Sequence, residues 1–98
     1  MRTAEEILRT TEKHKDKIRR FGVRRLALIG SFARGEQTEE SDLDFLVEFD
    51  TKTFDSFMEL IFFLEDLFGC SVDVLIADSL RERVRSSIMK EAIYVPGL

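Results

Sequence analysis

Residues 43–49 read Leu-Asp-Phe-Leu-Val-Glu-Phe. Alternate side chains of a strand point to opposite faces. Phe45, Val47 and Phe49 therefore share one face, and Asp42, Asp44, Leu46 and Glu48 share the other. An apolar face of that kind must be covered, and one strand cannot cover it alone. The chain supplies partners. Residues 24–29, "RRLALI", and 71–76, "SVDVLI", read as further strands, and "AIYV" before Pro96 reads as a short fourth.

The covering layer is also written in the pattern. Thr3 with Glu6 fits a capping box, and Ala4, Ile7, Leu8 and Ile18 recur at helical spacing, so a helix is expected over 4–20, ended by Gly22. Thr53 or Asp55 caps a second helix running to about Leu67. Its core stripe is Phe54, Phe57, Met58, Ile61, Leu64 and Phe68, widened by Leu60, Phe62, Phe63 and Leu67, and Gly69 stops it. Asp78 or Ser79 opens a last helix to about Glu91. Between the first two strands, Gly30-Ser31 breaks the run, "SFAR" starts a short helix before Gly35, and 36–41 form a polar loop. The order α-β-(α)-β-α-β-α-β predicts an α/β (α+β) fold: a small mixed sheet with helices mainly on one face. The 98 residues show no repeat or linker and make one domain, 1–98.

Several classes are set aside by composition. The opening "MRTAEEILRT" lacks the pattern of a signal peptide. The most apolar stretch, "FDSFMELIFFLEDLFG", is too short and too charged to span a membrane. Cys70 is the single cysteine, which excludes an internal disulfide and a cysteine-rich metal site, and it is expected to be small and buried or at a strand edge. A cytoplasmic protein is expected. Charge is uneven. Residues 1–25 hold nine Lys/Arg against four Asp/Glu, and residues 26–80 hold two against thirteen. An acidic centre suits a cation site better than a nucleic-acid groove. The basic run Lys13, Lys15, Lys17, Arg19, Arg20, Arg24 and Arg25 reads as a solvated face, with docking of an acidic partner or RNA as the other reading. His14 reads as a surface residue and Tyr94 as a packing one. With 35% charged residues, no Asn and one Gln, the composition leans toward a thermophile.

Chemistry converges on three features. Gly30-Ser31 stands at a strand-to-helix turn, where a glycine lets backbone N–H groups approach a phosphate. Asp42 and Asp44 point together from one strand. Two such charges about 4 Å apart repel by roughly 4 kcal/mol at an effective dielectric near 20. A shared proton or a divalent cation relieves that repulsion. Asp73 lies between Val72 and Val74 on another strand, and if the strands are neighbours three carboxylates meet. Such hard oxygen donors suit Mg²⁺ or Mn²⁺. The spacing Gly30 to Gly35 imitates a P-loop, but Glu36-Gln37 stands where Lys and Ser/Thr belong.

The run "GSFARGEQTEESDLDFLVEF", with a later lone Asp on a strand, resembles the DNA polymerase β-type nucleotidyltransferase superfamily, and within it the prokaryotic minimal nucleotidyltransferases. The resemblance spans essentially the whole chain. It implies a polymerase β-like fold and transfer of a nucleoside monophosphate, AMP from ATP, onto a hydroxyl. It carries over Gly30 and Ser31 as the nucleotide-phosphate turn and Asp42 and Asp44 as ligands of two Mg²⁺ ions. Asp73 matches the third carboxylate, as metal ligand or general base, by its strand context. Arg34 of "ARG" matches a residue that touches phosphate or ties down the loop.

Larger relatives add a helical domain for the acceptor, for which this sequence has no room. The acceptor surface then comes from a second chain, as a homo-oligomer or a protein partner, and an exposed patch at Leu60, Phe62 and Phe63 would serve such an interface unless those residues fill the core. The family often pairs with a small helical HEPN-type toxin, which implies an antitoxin that adenylylates its partner. Two alternatives remain open: an antitoxin that neutralises by masking, with catalysis dispensable, and a small-molecule nucleotidyltransferase.

Overall fold

The structure, a computed structural model, describes residues 2–98. A four-stranded mixed sheet runs in the order β3 (Val72–Ile76), β2 (Leu43–Phe49), β1 (Val23–Ile29), β4 (Ile93–Tyr94). Strand β1 pairs antiparallel with β2 and β4, whereas β2 and β3 run parallel. Parallel neighbours need a crossover, and α4 (Phe54–Phe68) supplies it. Strand β2 occupies the positions its alternation predicts, and its two faces divide the core. Leu43, Phe45, Val47 and Phe49 join the larger cluster with Ile7, Ile18, Leu60, Leu64 and Phe68. Leu46 joins a smaller one with Ala27, Ile29 and Ala77 on the opposite face.

The larger cluster is covered by α1 (Ala4–Lys13), α2 (Lys15–Arg19) and α4. The smaller is covered by α5 (Glu82–Glu91), which contributes no buried residue of its own. Helices thus lie mainly, though not wholly, on one face. Among the described residues no helix is long and apolar enough to cross a membrane.

The first helix is shorter than its periodicity suggests. Thr3 Oγ1 caps it by accepting the Glu6 N–H at 3.2 Å, but it ends at Lys13 rather than near Arg20. His14 Nδ1 lies 2.9 Å from the Thr10 carbonyl. A side chain that occupies a backbone acceptor competes with the helical ladder, and α2 restarts beyond it. His14 is not a plain surface residue either: it is half-buried, edge-on to Phe63 at 5.8 Å.

Thr53, not Asp55, caps α4, accepting the Ser56 N–H at 3.0 Å. Gly69, at φ 67°, closes it. Leu60 is fully buried and Phe63 packs against the core, while Phe62 is 59% exposed, so the three do not form one exposed patch. Phe54, expected in the core stripe, is 76% exposed because it sits in the first turn beyond the sheet's reach.

The last helix also begins later than expected. Asp78 and Ser79 belong to a 3₁₀ turn, Ala77–Ser79, and α5 begins after Arg81. Ser79 Oγ donates to the Ile76 carbonyl at 2.8 Å, which serves the end of β3 rather than a helix start. Cys70 is exposed, in the turn between Gly69 and β3. Tyr94 packs beneath the Arg25 guanidinium, 3.9 Å from the ring centroid. Arg24 and Arg25 reach Glu48 at 3.1 and 3.7 Å, an arrangement allowed by the irregular β1–β2 register between Val23 and Arg25.

Candidate active site

The parallel register sets Asp44 of β2 beside Asp73 of β3, and the antiparallel register sets Ile29 of β1 on its other side. Ile29 is the last residue of β1, so Gly30 and α3 (Gly30–Arg34) begin beside Asp44. Gly30 adopts φ +75°. That left-handed conformation is where a residue without Cβ has no steric penalty. Space imposes the same choice. A Cβ on Gly30 would collide with Asp44 Oδ2 and stand 3.1 Å from its Cγ. Strand and turn therefore enclose one side of a carboxylate.

Asp42 departs from the simple strand picture. It lies just outside β2, in the end of the 36–42 loop, and is exposed. Asp73 is exposed as well, and only Asp44 is partly buried. The expected burial of the acids thus concerns a single residue. Asp44 nevertheless feels the other two. Burial pushes its pKa up, followed by repulsion from Asp73 and then Asp42, and by a hydrogen bond with Asp73 that favours the protonated form; Arg34 opposes these weakly. Among the described residues none of the three carboxylates forms an ion pair. Negative charge has been gathered with one nearby cation, Arg34, which is itself paired with Glu36 and Glu91.

That observation tests the fit of a divalent ion. No group of three His, Cys, Asp or Glu among the described residues is closed up enough to hold a metal unaided. Mg²⁺ does not require such a cage: one or two carboxylates, phosphate oxygens and waters complete its octahedron. Asp44 and Asp73, paired across neighbouring strands, with Asp42 two residues before Asp44, fit that donor set.

A cleft of about 380 Å³ opens at this point, lined by Gly30, Asp44, Asp73, Leu75, Ile88 and Glu91. A second concavity of about 460 Å³, lined by Arg2, Phe32, Ser41, Leu43 and Cys70, contains none of the three acids or Gly30. Ser31 is half-buried in the first turn of α3. Arg34, in its last turn, donates from Nε to Glu36 Oε1 at 2.6 Å and from Nη1 to Glu91 Oε2 at 3.0 Å. These bonds, the Glu36 one first, raise its pKa further.

Glu91 is the residue sequence reasoning missed. Its Oε1 accepts the Gly30 N–H at 3.3 Å while Oε2 accepts Arg34. It lies 61 positions from Gly30, so no local spacing announces the contact. One signal existed. Glu91 ends α5, and an acid at a helix C-terminus opposes the helix dipole, which calls for a partner elsewhere.

The model of the nucleotidyltransferase domain family matches residues 11–95. A candidate protein adenylyltransferase of Methanocaldococcus jannaschii is 44% identical over 100 residues, covering 97% of this chain and all of that protein. The protein adenylyltransferase MntA of Thermococcus cleftensis is 40% identical over 97 residues, covering 97% of this chain and 98% of that one. A solved structure of a candidate minimal nucleotidyltransferase superposes with a TM-score of 0.74 at 36% identity, over 88% of this chain and 93% of that one. An MNT antitoxin in complex with tri-AMPylated Shewanella oneidensis HEPN toxin matches at a TM-score of 0.64 and 19% identity, over 93% of this chain and 73% of the matched chain, a likeness of fold. The mixed sheet is thus of the polymerase β-like kind, and the chain belongs to the nucleotidyltransferase domain family, as one of its minimal nucleotidyltransferases.

Proposed function

We propose that the chain is a Mg²⁺-dependent protein adenylyltransferase that moves AMP from ATP onto a side-chain hydroxyl of a partner protein. The observation that carries this reading is the meeting of Asp44 and Asp73 against the Gly30 turn. The names of relatives that align along 97% of this chain support it.

In this reading the Gly30-Ser31 turn binds the nucleotide phosphates through its N–H groups and the Ser31 hydroxyl, and Arg34 adds a guanidinium. Asp42, Asp44 and Asp73 hold two divalent ions, Mn²⁺ being the other hard cation that fits. When bound, the metal neutralises triphosphate charge and lowers the pKa of the attacking hydroxyl. The protein's own part is positioning. Strands β2 and β3 fix Asp44 and Asp73 side by side. The acceptor oxygen forms a bond to the α-phosphorus, the bond to pyrophosphate breaks, and the hydroxyl proton passes to Asp73, the more exposed of the pair.

The acceptor we propose is a small helical HEPN-type toxin, with this chain as its antitoxin. Support comes from the HEPN complex of the same fold. Phe54 and Phe62, exposed on α4, favour a second reading in which the chain neutralises its partner by masking it.

The test is transfer of label from α-labelled ATP, with Mg²⁺, to the protein encoded beside this chain. Labelled partner is expected. Equal labelling by Asp44→Asn protein, or none by the wild type, would overturn the transferase reading. Full neutralisation by the Asp42→Asn/Asp44→Asn protein would select masking.

A further inference from the structure

The carboxylate of Glu91 does two things at once. It accepts the N–H of Gly30 at 3.3 Å and the guanidinium of Arg34 at 3.0 Å. Those two donors are the ones the proposed function assigns to nucleotide phosphate. A carboxylate and a phosphate present the same feature to such donors: negative oxygens that accept N–H bonds. One donor cannot serve both fully.

We infer that Glu91 is an internal competitor for the phosphate position, so that nucleotide binding must exchange Glu91 for a phosphate oxygen at Gly30 and Arg34. This inference rests on the adenylyltransferase reading of the site and adds a residue to it.

Three features favour competition over simple support. First, charge: Asp42, Asp44, Asp73, Glu36 and Glu91 surround the turn, with Arg34 the cation among them. A triphosphate adds further negative charge, and Glu91 beside it would repel it. Second, Glu91 is well placed to leave. Its side chain is 29% exposed, and α5 contributes no fully buried residue. Third, Glu91 sits at the C-terminal end of α5, where the helix dipole disfavours an acid. Its bonds to Gly30 and Arg34 compensate for that, so a ligand that takes them over weakens the seating of the helix end. A site whose donors are occupied for part of the time loses apparent affinity in proportion to that occupancy.

Equilibrium binding of ATP with Mg²⁺, and separately of inorganic tripolyphosphate with Mg²⁺, to the full chain tests this by titration calorimetry. The variants are Glu91→Ala, Glu91→Gln and Glu36→Gln. Both Glu91 variants are expected to bind each ligand more tightly than wild type, Glu91→Ala by about tenfold, the scale of one charge-assisted hydrogen bond. Glu91→Gln, which keeps an acceptor but no charge, is expected to fall between. Glu36 also pairs with Arg34 but does not touch Gly30, so Glu36→Gln is expected to gain much less.

Tighter binding by both Glu91 variants, with Glu36→Gln near wild type, supports the inference. Unchanged or weaker binding by the Glu91 variants, while the wild type binds, overturns it and leaves the adenylyltransferase reading standing; a supporting strut would give that result. An equal gain in Glu36→Gln also overturns it, because general charge would then explain the effect. Absence of binding by wild type and variants alike overturns the adenylyltransferase reading, and this inference with it. Should Glu91→Ala fail to fold, Glu91→Gln decides.

Discussion

Gly30 and Asp44 are fitted to one another: the carboxylate of Asp44 lies where a side chain on Gly30 would have to go. Turn and acid form one unit although they are 14 positions apart. Gly30→Ala therefore carries two costs, the left-handed backbone and the displacement of Asp44. A loss of about 1–3 kcal/mol is expected from strain of this kind, read by urea unfolding. AMP transfer is expected to fall by more than tenfold, because the strand acid is moved as well. A variant as stable and as active as wild type would contradict the fit.

Asp44 also sets a pH dependence. Its carboxyl has a raised pKa in the fold, through burial and then the neighbouring Asp73 and Asp42. The unfolded chain therefore releases this proton first as pH rises. Folding stability attributable to Asp44 is greatest in acid, below the unfolded value of 3.8, and declines as pH climbs through the raised range. In metal-free buffer, Asp44→Asn protein is expected to be more stable than wild type at pH 7 and to lose that advantage near pH 3. Thermal unfolding across pH checks both the sign and the crossover.

Magnesium is expected to reverse the penalty. An ion bound by the folded site and not by the unfolded chain stabilises by mass action, about 2.7 kcal/mol at a hundred times its dissociation constant. With ATP present, added Mg²⁺ is expected to raise the melting temperature of wild type and to do little for Asp44→Asn or Asp73→Asn. In the transfer assay each of Asp42→Asn, Asp44→Asn and Asp73→Asn is expected to lose about a hundredfold or more, the scale seen when one charge-stabilising group is removed. Equal rates in all three variants and wild type would remove the acids from the mechanism.

Leu60 and Phe62 separate stability from interaction on one helix. Leu60 is fully buried among the sheet and helix side chains, and Leu60→Ala is expected to cost about 2–5 kcal/mol. Phe62 is mostly exposed, and Phe62→Ser is expected to shift stability by less than about 0.5 kcal/mol. If α4 meets the partner protein, the same change weakens co-purification. Chemical denaturation and a pull-down read the two effects independently.

Much of this architecture is legible in the chain because its signals are local. The alternation of residues 43–49 places β2 at Leu43–Phe49, and Thr53 and Gly69 mark the ends of α4 through a cap and a left-handed stop. The turn at Gly30-Ser31 and the acids at 42, 44 and 73 stand out because those residue types are unusual beside apolar strands. What escapes is decided by contacts distant in sequence or by side chains acting on backbone. His14 ends α1 by occupying the Thr10 carbonyl, which no periodicity records. Asp42 is exposed in the loop before β2, and Asp73 is exposed on β3, an edge strand of the sheet, a matter of tertiary position. Glu91 reaches Gly30 only after the whole sheet is assembled.

The parallel pairing of β2 with β3 has a consequence for biosynthesis. The β1–β2 pair closes across residues 30–42, which hold α3 and the polar loop, and that unit already carries Gly30, Ser31, Asp42 and Asp44. Asp73 can join only when α4 has formed and docked, since a parallel neighbour has no shorter route. A chain halted on the ribosome after β2 therefore bears the Gly30-Ser31 turn and a pair of acids but lacks the third. The three acids therefore come together only once β3 has paired with β2, before β4 (Ile93–Tyr94) closes the other edge of the sheet.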